Sequence, residues 1–312
     1  MIPKLGDAKV DKLLSQFSQF YTNKSYIAEA ILPVLKVKEK TGKYAKYGKE
    51  NLRTYLDQAY RAPGTRANSV NYSVSQGSYA CREHSLEKGV PDEFVLNSDD
   101  PYDPKRDATA VLMDNIWLNQ EAALQTAMTA TATMTRNTTL TSTDQWSDYN
   151  NSDPFDDIST AIESVRGATG QRPNLLVLCH DVWMKLKYHP DVREQLKYTN
   201  GGQVSEGSLG TFLKDFFNFE EVLVGSAVKN TADEGQAESI SDVWTKDAWV
   251  IYKTPRPTLM QATFGLTLAD TPRQVDTYRE EEKVQDVVRI RYSYDQNLFD
   301  VNLAYLIKNA IA

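Results

Sequence analysis

Three consecutive residues, Cys179, His180 and Asp181, carry the side chains of a nucleophile, a general base and a group that could orient that base. Such a set would make the chain a cysteine hydrolase. Side chains that are adjacent in sequence usually point apart, however, and catalytic triads assemble from separate segments. The sequence therefore favours a cysteine at a strand end followed by an aspartate that caps a helix. A cytosolic cysteine hydrolase is kept as a remote alternative.

The other residues that could bind metals or phosphates lack the spacing that this chemistry requires. Carboxylates between residues 144 and 157 suggest calcium, but Pro154 interrupts any EF-hand register. Glycines between 201 and 210 lack the Lys-Ser/Thr of a phosphate-binding loop. The histidines show no metal-ligand spacing and no CxxC pair accompanies them; they are His84, His180 and His189. We therefore expect no catalytic residue, no cofactor and no metal.

A basic segment at residues 36–66 is the one patch with a second interpretation. It holds nine Lys or Arg against three acidic residues, with four tyrosines between them. Basic residues with aromatics can grip single-stranded nucleic acid. The same chain, however, carries six acids and no Lys or Arg at 144–163, and seven acids against two Lys at 219–247. Charge complementarity therefore favours contact with another copy of the chain, and which acidic segment would receive the basic one stays open.

The bulk composition is that of a folded protein. Of 312 residues, 41% are apolar and 25% are charged, which is enough for a large core in one or two domains. A formal net charge of −7 argues against a dedicated nucleic-acid-binding protein. Two cysteines do not make a disulfide framework, so a reducing cytosol is expected. We find no apolar secretion signal and no segment apolar enough to span a bilayer.

The strongest local pattern predicts a helix followed by a buried strand. Asp153 is a good N-cap and Pro154 suits the first helical position, while Gly167 or Gly170 can end the helix. The uninterrupted apolar run at 175–178 is typical of a strand buried on both faces. A second helix, capped by Asp181, should follow and finish near His189 and Pro190. The segment is thus a compact α/β unit.

The longest predicted helix begins at Asp103 and Pro104, which again form a cap followed by a proline. No breaker follows until about Asn137. Residues 107–135 would make a helix of about 43 Å at ~1.5 Å per residue. We expect it to act as a spine.

The remaining elements are shorter or less regular. A hairpin with polar faces is expected between residues 36 and 93. The other predictions are a helix at 10–21, a strand start at 31–35, a helix at 208–217, strands at 221–225 and 249–252, a surface loop at 229–242, a long strand at 284–294 and a closing apolar run at 301–307.

This order of elements resembles the major capsid proteins of tailed phages, which have the HK97-like fold. No single motif is specific, but their order and spacing together are. The matching segments are 31–34 (ILPV), 42–47 (GKYAKY), 61–64 (RAPG), 107–121, 144–148 (DQWSD), 152–154 (SDP), 169–174 (TGQRPN), 186–190 (LKYHP), 222–225 (VLVG) and 305–310 (YLIKNA).

The resemblance implies an α+β fold with five parts. They are an N-terminal arm at 1–35, an extended loop and connection at 36–102, the spine helix and first part of a peripheral domain at 103–151, an axial domain at 152–254, and a β-rich second part of the peripheral domain at 255–312.

The resemblance also implies a function without an active site. Pentamers and hexamers of the chain would form an icosahedral virion shell around double-stranded DNA, without sequence-specific binding and without a membrane. A separate scaffolding protein, a portal protein and possible decoration proteins are implied partners, with assembly in the host bacterial cytoplasm. No covalent crosslink is expected, because the lysine and asparagine of crosslinking members find no match. The alternative is an encapsulin-like nanocompartment shell, which shares the fold.

Overall fold

The computed structural model describes residues 9–10, 26–47, 62–66, 74–96, 103–200, 206–232, 236–259 and 261–312. Within them the chain mixes helices and strands, which confirms the predicted α+β class. The helix predicted at 10–21 and most of the far part of the hairpin lie outside the described residues. None of the described helices is both long and apolar enough to cross a membrane.

Helices and strands alternate irregularly along the described part of the chain. The helices are α1 Ala28–Ile31, α2 Asp92–Leu96, α3 Pro104–Thr129, α4 Pro154–Thr169, α5 His180–Tyr188, α6 Pro190–Asn200 and α7 Glu206–Phe217. The strands are β1 Lys9–Val10, β2 Val34–Lys36, β3 Thr41–Tyr47, β4 Val74–Ala80, β5 Arg82–Pro91, β6 Asn137–Thr139, β7 Leu175–Cys179, β8 Glu221–Gly225, β9 Val228–Asn230, β10 Ile240–Asp242, β11 Ala248–Ile251, β12 Gly265–Glu280, β13 Gln285–Leu298 and β14 Ala304–Lys308.

Two five-stranded sheets organise these elements. The axial sheet has the order β6-β14-β11-β7-β8, and the peripheral sheet has the order β1-β12-β13-β5 with β2 also paired to β12. Strands β7 and β11 are buried along their whole length, because other elements cover both faces of the axial sheet. The pairs β3–β4 and β9–β10 form separate two-stranded ribbons.

Helix α4 forms as the sequence predicts. The Asp153 carboxylate accepts hydrogen bonds from the backbone N–H groups of Phe155 and Asp156, at 3.0 and 3.1 Å. Gly170 ends the helix in the left-handed conformation at φ 67°, which glycine adopts without steric cost, whereas Gly167 lies inside the helix. The buried strand then follows as β7.

The predicted cap of α5 is wrong. The helix begins at His180, directly after the strand, so that Cys179 takes the N-cap position and makes no side-chain capping bond. Asp181 therefore lies inside the first turn, where the helix dipole favours its charge but its side chain does not cap the helix. The predicted end near His189 is confirmed, since α5 stops at Tyr188.

Helix α3 begins as predicted but ends earlier. The Asp103 carboxylate accepts from the N–H of Lys105 at 3.0 Å, and the helix stops at Thr129 rather than near residue 135. Ala130 is extended, with ψ 110°, and the following turn buries Met134 completely in the core. The 26 residues span about 39 Å.

Two β regions were incompletely predicted. The expected strand at 284–294 is β13, but its long partner β12 was not recognised, because register shifts between Ala269 and Gln274 interrupt the alternation of its side chains. The segment at 229–242, predicted as a loop, contains the short ribbon of β9 and β10.

Helix α3 joins two separate hydrophobic cores. Its first half packs Leu112, Ile116 and Trp117 into the core of the peripheral sheet, and its second half packs Leu124 and Met128 into the axial core. A charged residue, Glu121, lies at the changeover between these halves and is completely buried.

The Glu121 carboxylate ties three parts of the chain together. Its oxygens accept hydrogen bonds from the backbone N–H of Ile27 at 2.9 Å, the N–H of Ala28 at 2.8 Å and the indole N–H of Trp244 at 2.6 Å. Burial raises the pKa of Glu121, and these three donors oppose that rise by favouring the charged form. The residue therefore holds the N-terminal segment, α3 and the segment before β11 in register.

Replacing Glu121 with glutamine should destabilise the protein by about 2–4 kcal/mol, because an amide presents N–H groups to donors that then lose their acceptor. Urea unfolding measures the loss. The matched control is Glu238→Gln, whose side chain is exposed and which should unfold like the parent protein. Equal stability of both variants would contradict the role given to Glu121.

Candidate subunit-contact surfaces

The basic segment forms the start of a two-stranded hairpin. Strand β3 pairs antiparallel with β4, from Thr41 opposite Ala80 to Tyr47 opposite Val74. The predicted hairpin is therefore present, and among the described residues no third strand extends it. A two-stranded ribbon is marginally stable alone, so its base must be held by other elements.

Two cross-strand tyrosine–glycine pairs lie at the base of this hairpin. Tyr79 lies opposite Gly42, and Tyr44 lies opposite Gly77. Each tyrosine is almost completely buried and its ring covers the glycine across from it. A Cβ atom on Gly42 would lie 2.6 Å from Tyr79 Oη, and one on Gly77 would overlap the Tyr44 ring. Only glycine leaves room for these rings.

Tyr44 and the backbone of Ala80 attach the hairpin to the end of β13. The Tyr44 hydroxyl donates to Asn297 Oδ1 at 2.9 Å, and its ring stacks on Phe299 with centroids 4.1 Å apart. The Ala80 N–H donates to Asp295 Oδ2 at 3.0 Å. Burial and the nearby Asp295 charge raise the pKa of Tyr44, so the phenol stays a neutral donor. These contacts anchor the base of the hairpin to the peripheral sheet.

The segment from the end of β2 to the first strand of the hairpin exposes cations. Lys36, Lys38, Lys40 and Lys43 all have exposed side chains, and none of them takes part in an ion pair within the described part of the chain. Glu39 is the one acid among them. Lys46 lies on β3 and Arg66 is exposed next to a turn, whereas Lys49, Arg53 and Arg61 lie outside the described residues.

An acidic face lies around the start of α4. Asp144, Asp153 and Asp156 are exposed, whereas Asp157 is half-buried and accepts a 2.7 Å hydrogen bond from the Trp146 indole. Burial raises the pKa of Asp157, and the charges of the other three aspartates raise it further. These four carboxylates, called the acidic face below, are close enough to repel one another.

In the second acidic segment, 219–247, some of the carboxylates are paired or buried. Lys253 pairs with Glu221 at 2.9 Å, and Asp247 is buried and accepts from the Asn309 N–H at 2.9 Å. Two lysines, Lys229 and Lys246, belong to the same segment. Among the described residues, the four carboxylates of the acidic face take part in no ion pair, and residues 144–163 contain no Lys or Arg, so we take this face as the candidate acceptor.

The side chain of Cys179 lies in a different environment from those of His180 and Asp181. Its thiol is completely buried at the end of β7 and donates to the Asp247 carbonyl oxygen at 3.0 Å. Burial raises the pKa of this thiol far above the neutral range, which disfavours the nucleophilic thiolate. His180 and Asp181 are exposed on α5. The strand-end position expected for Cys179 is confirmed.

The histidines have ordinary structural surroundings. His84 stacks on Tyr294, with ring centroids 4.4 Å apart. His189 is completely buried, and its Nε2 lies 3.1 Å from the Ser152 hydroxyl. Among the described residues, no three His, Cys, Asp or Glu side chains are grouped closely enough to hold a metal ion.

Sequence reasoning missed the two features that position these surfaces. Glu121 could have been noticed as a carboxylate between the apolar positions Trp117 and Leu124 of a helix. The tyrosine–glycine pairs depend on which residues face each other across the hairpin, and a single sequence does not give that register.

Comparison with known proteins gives one consistent result. A family model described as phage major capsid protein E matches residues 121–270. A major capsid protein of Pseudomonas phage JBD67 is 30% identical over 268 residues, which cover 83% of this chain and 82% of the relative. A major capsid protein of Burkholderia phage BcepMu is 26% identical over 305 residues, covering 96% and 95%.

Solved structures show the same likeness in fold. A phage-related protein from Bordetella bronchiseptica RB50 aligns with TM-score 0.77 and 26% identity, over 97% of this chain and 98% of that one. A Mycobacterium phage Che8 structure aligns with TM-score 0.56 and 13% identity, over 100% and 96%. A virus-like particle from Pyrococcus furiosus gives 0.59 and 11%, over 95% and 98%. The fold expected from the resemblance is confirmed.

Replacing Gly77 with alanine should loosen the base of the hairpin, because the new methyl group and the Tyr44 ring cannot share one position. Hydrogen exchange should speed up in β3 and β4, and the protein should lose roughly 1–3 kcal/mol. The control is Gly167→Ala in α4, where a Cβ meets nothing within 4 Å and should add up to about 1 kcal/mol. Unchanged exchange in Gly77→Ala would refute the account.

The protein should also lose stability below pH ~6.5, the ordinary pKa of histidine. Burial lowers the pKa of His189, and the charges of Asp191 and Asp153 only partly oppose this, so the unfolded chain takes up its proton first. In His189→Gln the free energy of unfolding should decrease less as the pH is lowered. One titrating group contributes a slope of at most about 1.4 kcal/mol per pH unit. Urea unfolding at pH 7.5 and 5.5 tests this, with the exposed His180→Gln as control; a parallel fall in both variants would exclude His189 as the cause.

Proposed function

The chain belongs to the family of phage major capsid proteins, and from this premise we propose that its copies close into an icosahedral head of pentamers and hexamers. In this head the basic hairpin of each copy lies across a neighbouring copy. The chain acts through its surfaces and not as an enzyme. Two named capsid relatives favour a phage head over a nanocompartment.

The proposed domains follow the expected boundaries, with one extension. The arm is 1–35, the extended loop and connection 36–102, and the peripheral domain 103–151 with 255–312, apart from strands β6 and β14. The axial domain is 152–254. Because β6 and β14 extend the same five-stranded sheet as β7, β8 and β11, we include them in the axial domain.

The observation that carries the subunit contact is the pairing of an anchored basic hairpin with an unneutralised acidic face. Lys40 and Lys43 are exposed on the hairpin, and Asp144 and Asp156 are exposed on the acidic face. Opposite charges at a subunit boundary fix the register and disfavour wrong pairings. Since one copy carries both surfaces, repeated contacts join copies head to tail and close into rings.

The proposed cargo and partners follow from the same role. A net charge of −7 keeps the shell from adhering strongly to the double-stranded DNA it encloses. The binding is not sequence-specific. A separate scaffolding protein, a portal protein and possible decoration proteins complete the head, which assembles in the host bacterial cytoplasm.

Electron microscopy with light scattering, on the protein alone and co-expressed with its scaffold, tests this function. Closed shells or rings of five and six copies are expected, and particles from infected cells should protect DNA from nuclease. Particles that hold a protein cargo and no DNA would support the nanocompartment instead. A chain that stays monomeric under all these conditions would exclude the shell.

Charge reversal tests the contact itself. Lys40→Glu with Lys43→Glu should abolish shells, because like charges then meet at the boundary. Adding Asp144→Lys and Asp156→Lys should restore assembly, and the single reversal Lys229→Glu on β9 serves as the control. Normal assembly of the hairpin variant, or no restoration by the aspartate changes, would show that the acidic face is not the acceptor.

A further inference from the structure

An apolar groove lies beside the base of the hairpin. Its cavity measures about 420 Å³ and lies between the segment after β2 and the segment before β12. Val37 and Tyr79 form a buried floor and Leu259 contributes a half-buried wall. At the rim, Lys36 and Lys38 are exposed together with one acid, Glu39, so the rim keeps an excess of positive charge. The groove therefore suits an apolar group that carries negative charge.

The short helix α2 presents such a group. Phe94 is 66% exposed and Leu96 is 83% exposed, and Glu93 beside them is exposed as well. Val284 is 57% exposed and lies next to this helix. The Asp92 N–H of the helix donates a hydrogen bond to the Val284 carbonyl oxygen. Several large apolar side chains exposed on one short helix and on the turn bonded to it are typical of a site of protein contact.

Helix α2 is held firmly in its exposed position. The Arg279 guanidinium donates to both oxygens of Asp92, at 2.5 and 2.6 Å. Arg279 also donates to Asp286 at 3.2 Å, and Lys105 of α3 pairs with Asp286 at 2.8 Å. This network joins α2 to β12, β13 and α3, so the apolar side chains are presented on a rigid support.

The groove and α2 lie at opposite ends of one sheet. Strand β2, which leads into the groove, pairs with Thr267–Ala269 at the start of β12. Helix α2 is attached at Val284, just beyond the other end of β12 at Glu280. At ~3.3 Å per residue the two ends are roughly 35 Å apart. One copy therefore cannot fill its own groove.

From these four observations we propose that α2 of one copy docks into the groove of a second copy. Phe94 and Leu96 enter the groove, and Glu93 faces the lysine rim. The contact is heterologous, since different surfaces of each copy meet, and it repeats from copy to copy in a closed shell. This inference rests on the proposed function and names a contact that the basic hairpin alone does not supply.

Disulfide trapping tests the contact in assembled shells. Leu96→Cys and Thr258→Cys are made in separate chains and co-assembled; Thr258 is exposed at the groove, and the native Cys81 and Cys179 are buried. Oxidation should give a mixed disulfide dimer on a non-reducing gel. Leu96→Cys with Ile240→Cys, an exposed position on β10, should give none.

A second variant covers the case in which the cysteines are poorly oriented. Phe94→Ser should raise the protein concentration needed for assembly about tenfold, with Ile240→Ser as control and circular dichroism to confirm that each variant folds. Shells that form normally with Phe94→Ser and show no Leu96–Thr258 disulfide would overturn the inference and leave the proposed function standing. Failure of the parent protein to form any shell would instead overturn the proposed function, and this inference with it.

Discussion

The buried carboxylate of Glu121 is the interaction on which the arrangement of the two sheets depends. Helix α3 packs one half against the peripheral core and the other half against the axial core, and Glu121 lies at the junction. An unpaired carboxylate there would be strongly destabilising, so its three donors, from Ile27, Ala28 and Trp244, must stay in place. The pairing therefore fixes how the N-terminal segment and the segment before β11 meet helix α3.

Helix α3 and the two sheets that it joins form a rigid frame, and this frame fixes the positions of the exposed contact surfaces. The hairpin leaves the frame at one end of β13, where Tyr44 and Tyr79 lie flat over glycines, and α2 leaves it at the other end, braced by Arg279. A surface that moves must be ordered when it binds, and this lowers affinity. Here the ordering is done within each copy, so a neighbour meets surfaces that already have the correct spacing.

Sequence alone predicts the elements whose signals are local. The cap, proline and terminal glycine of α4 and the apolar run of β7 lie within short windows, and the structure confirms them. Helix α3 ends earlier than predicted, because the chain turns after Thr129 and buries Met134 in a core built by residues distant in sequence. β12 was missed because bulges hide its alternation. The acidic face was recognised from charge counts, whereas the tyrosine–glycine pairs and the α2 network depend on cross-strand register, which a single sequence does not contain.

The two kinds of contact have different physical ranges, and a shell benefits from both. Charges on the hairpin and the acidic face attract over about 8 Å at physiological salt, which guides copies together but adds little affinity once water screens them. The apolar surface of α2 acts only on contact, and its strength does not depend on the orientation of charges. Weak individual contacts allow a growing ring to release a misplaced copy. Once the ring closes, each copy is held by several contacts together, so the closed ring is much more stable than any single contact. An acidic chain with a basic hairpin, anchored on a rigid sheet, meets both requirements within one subunit.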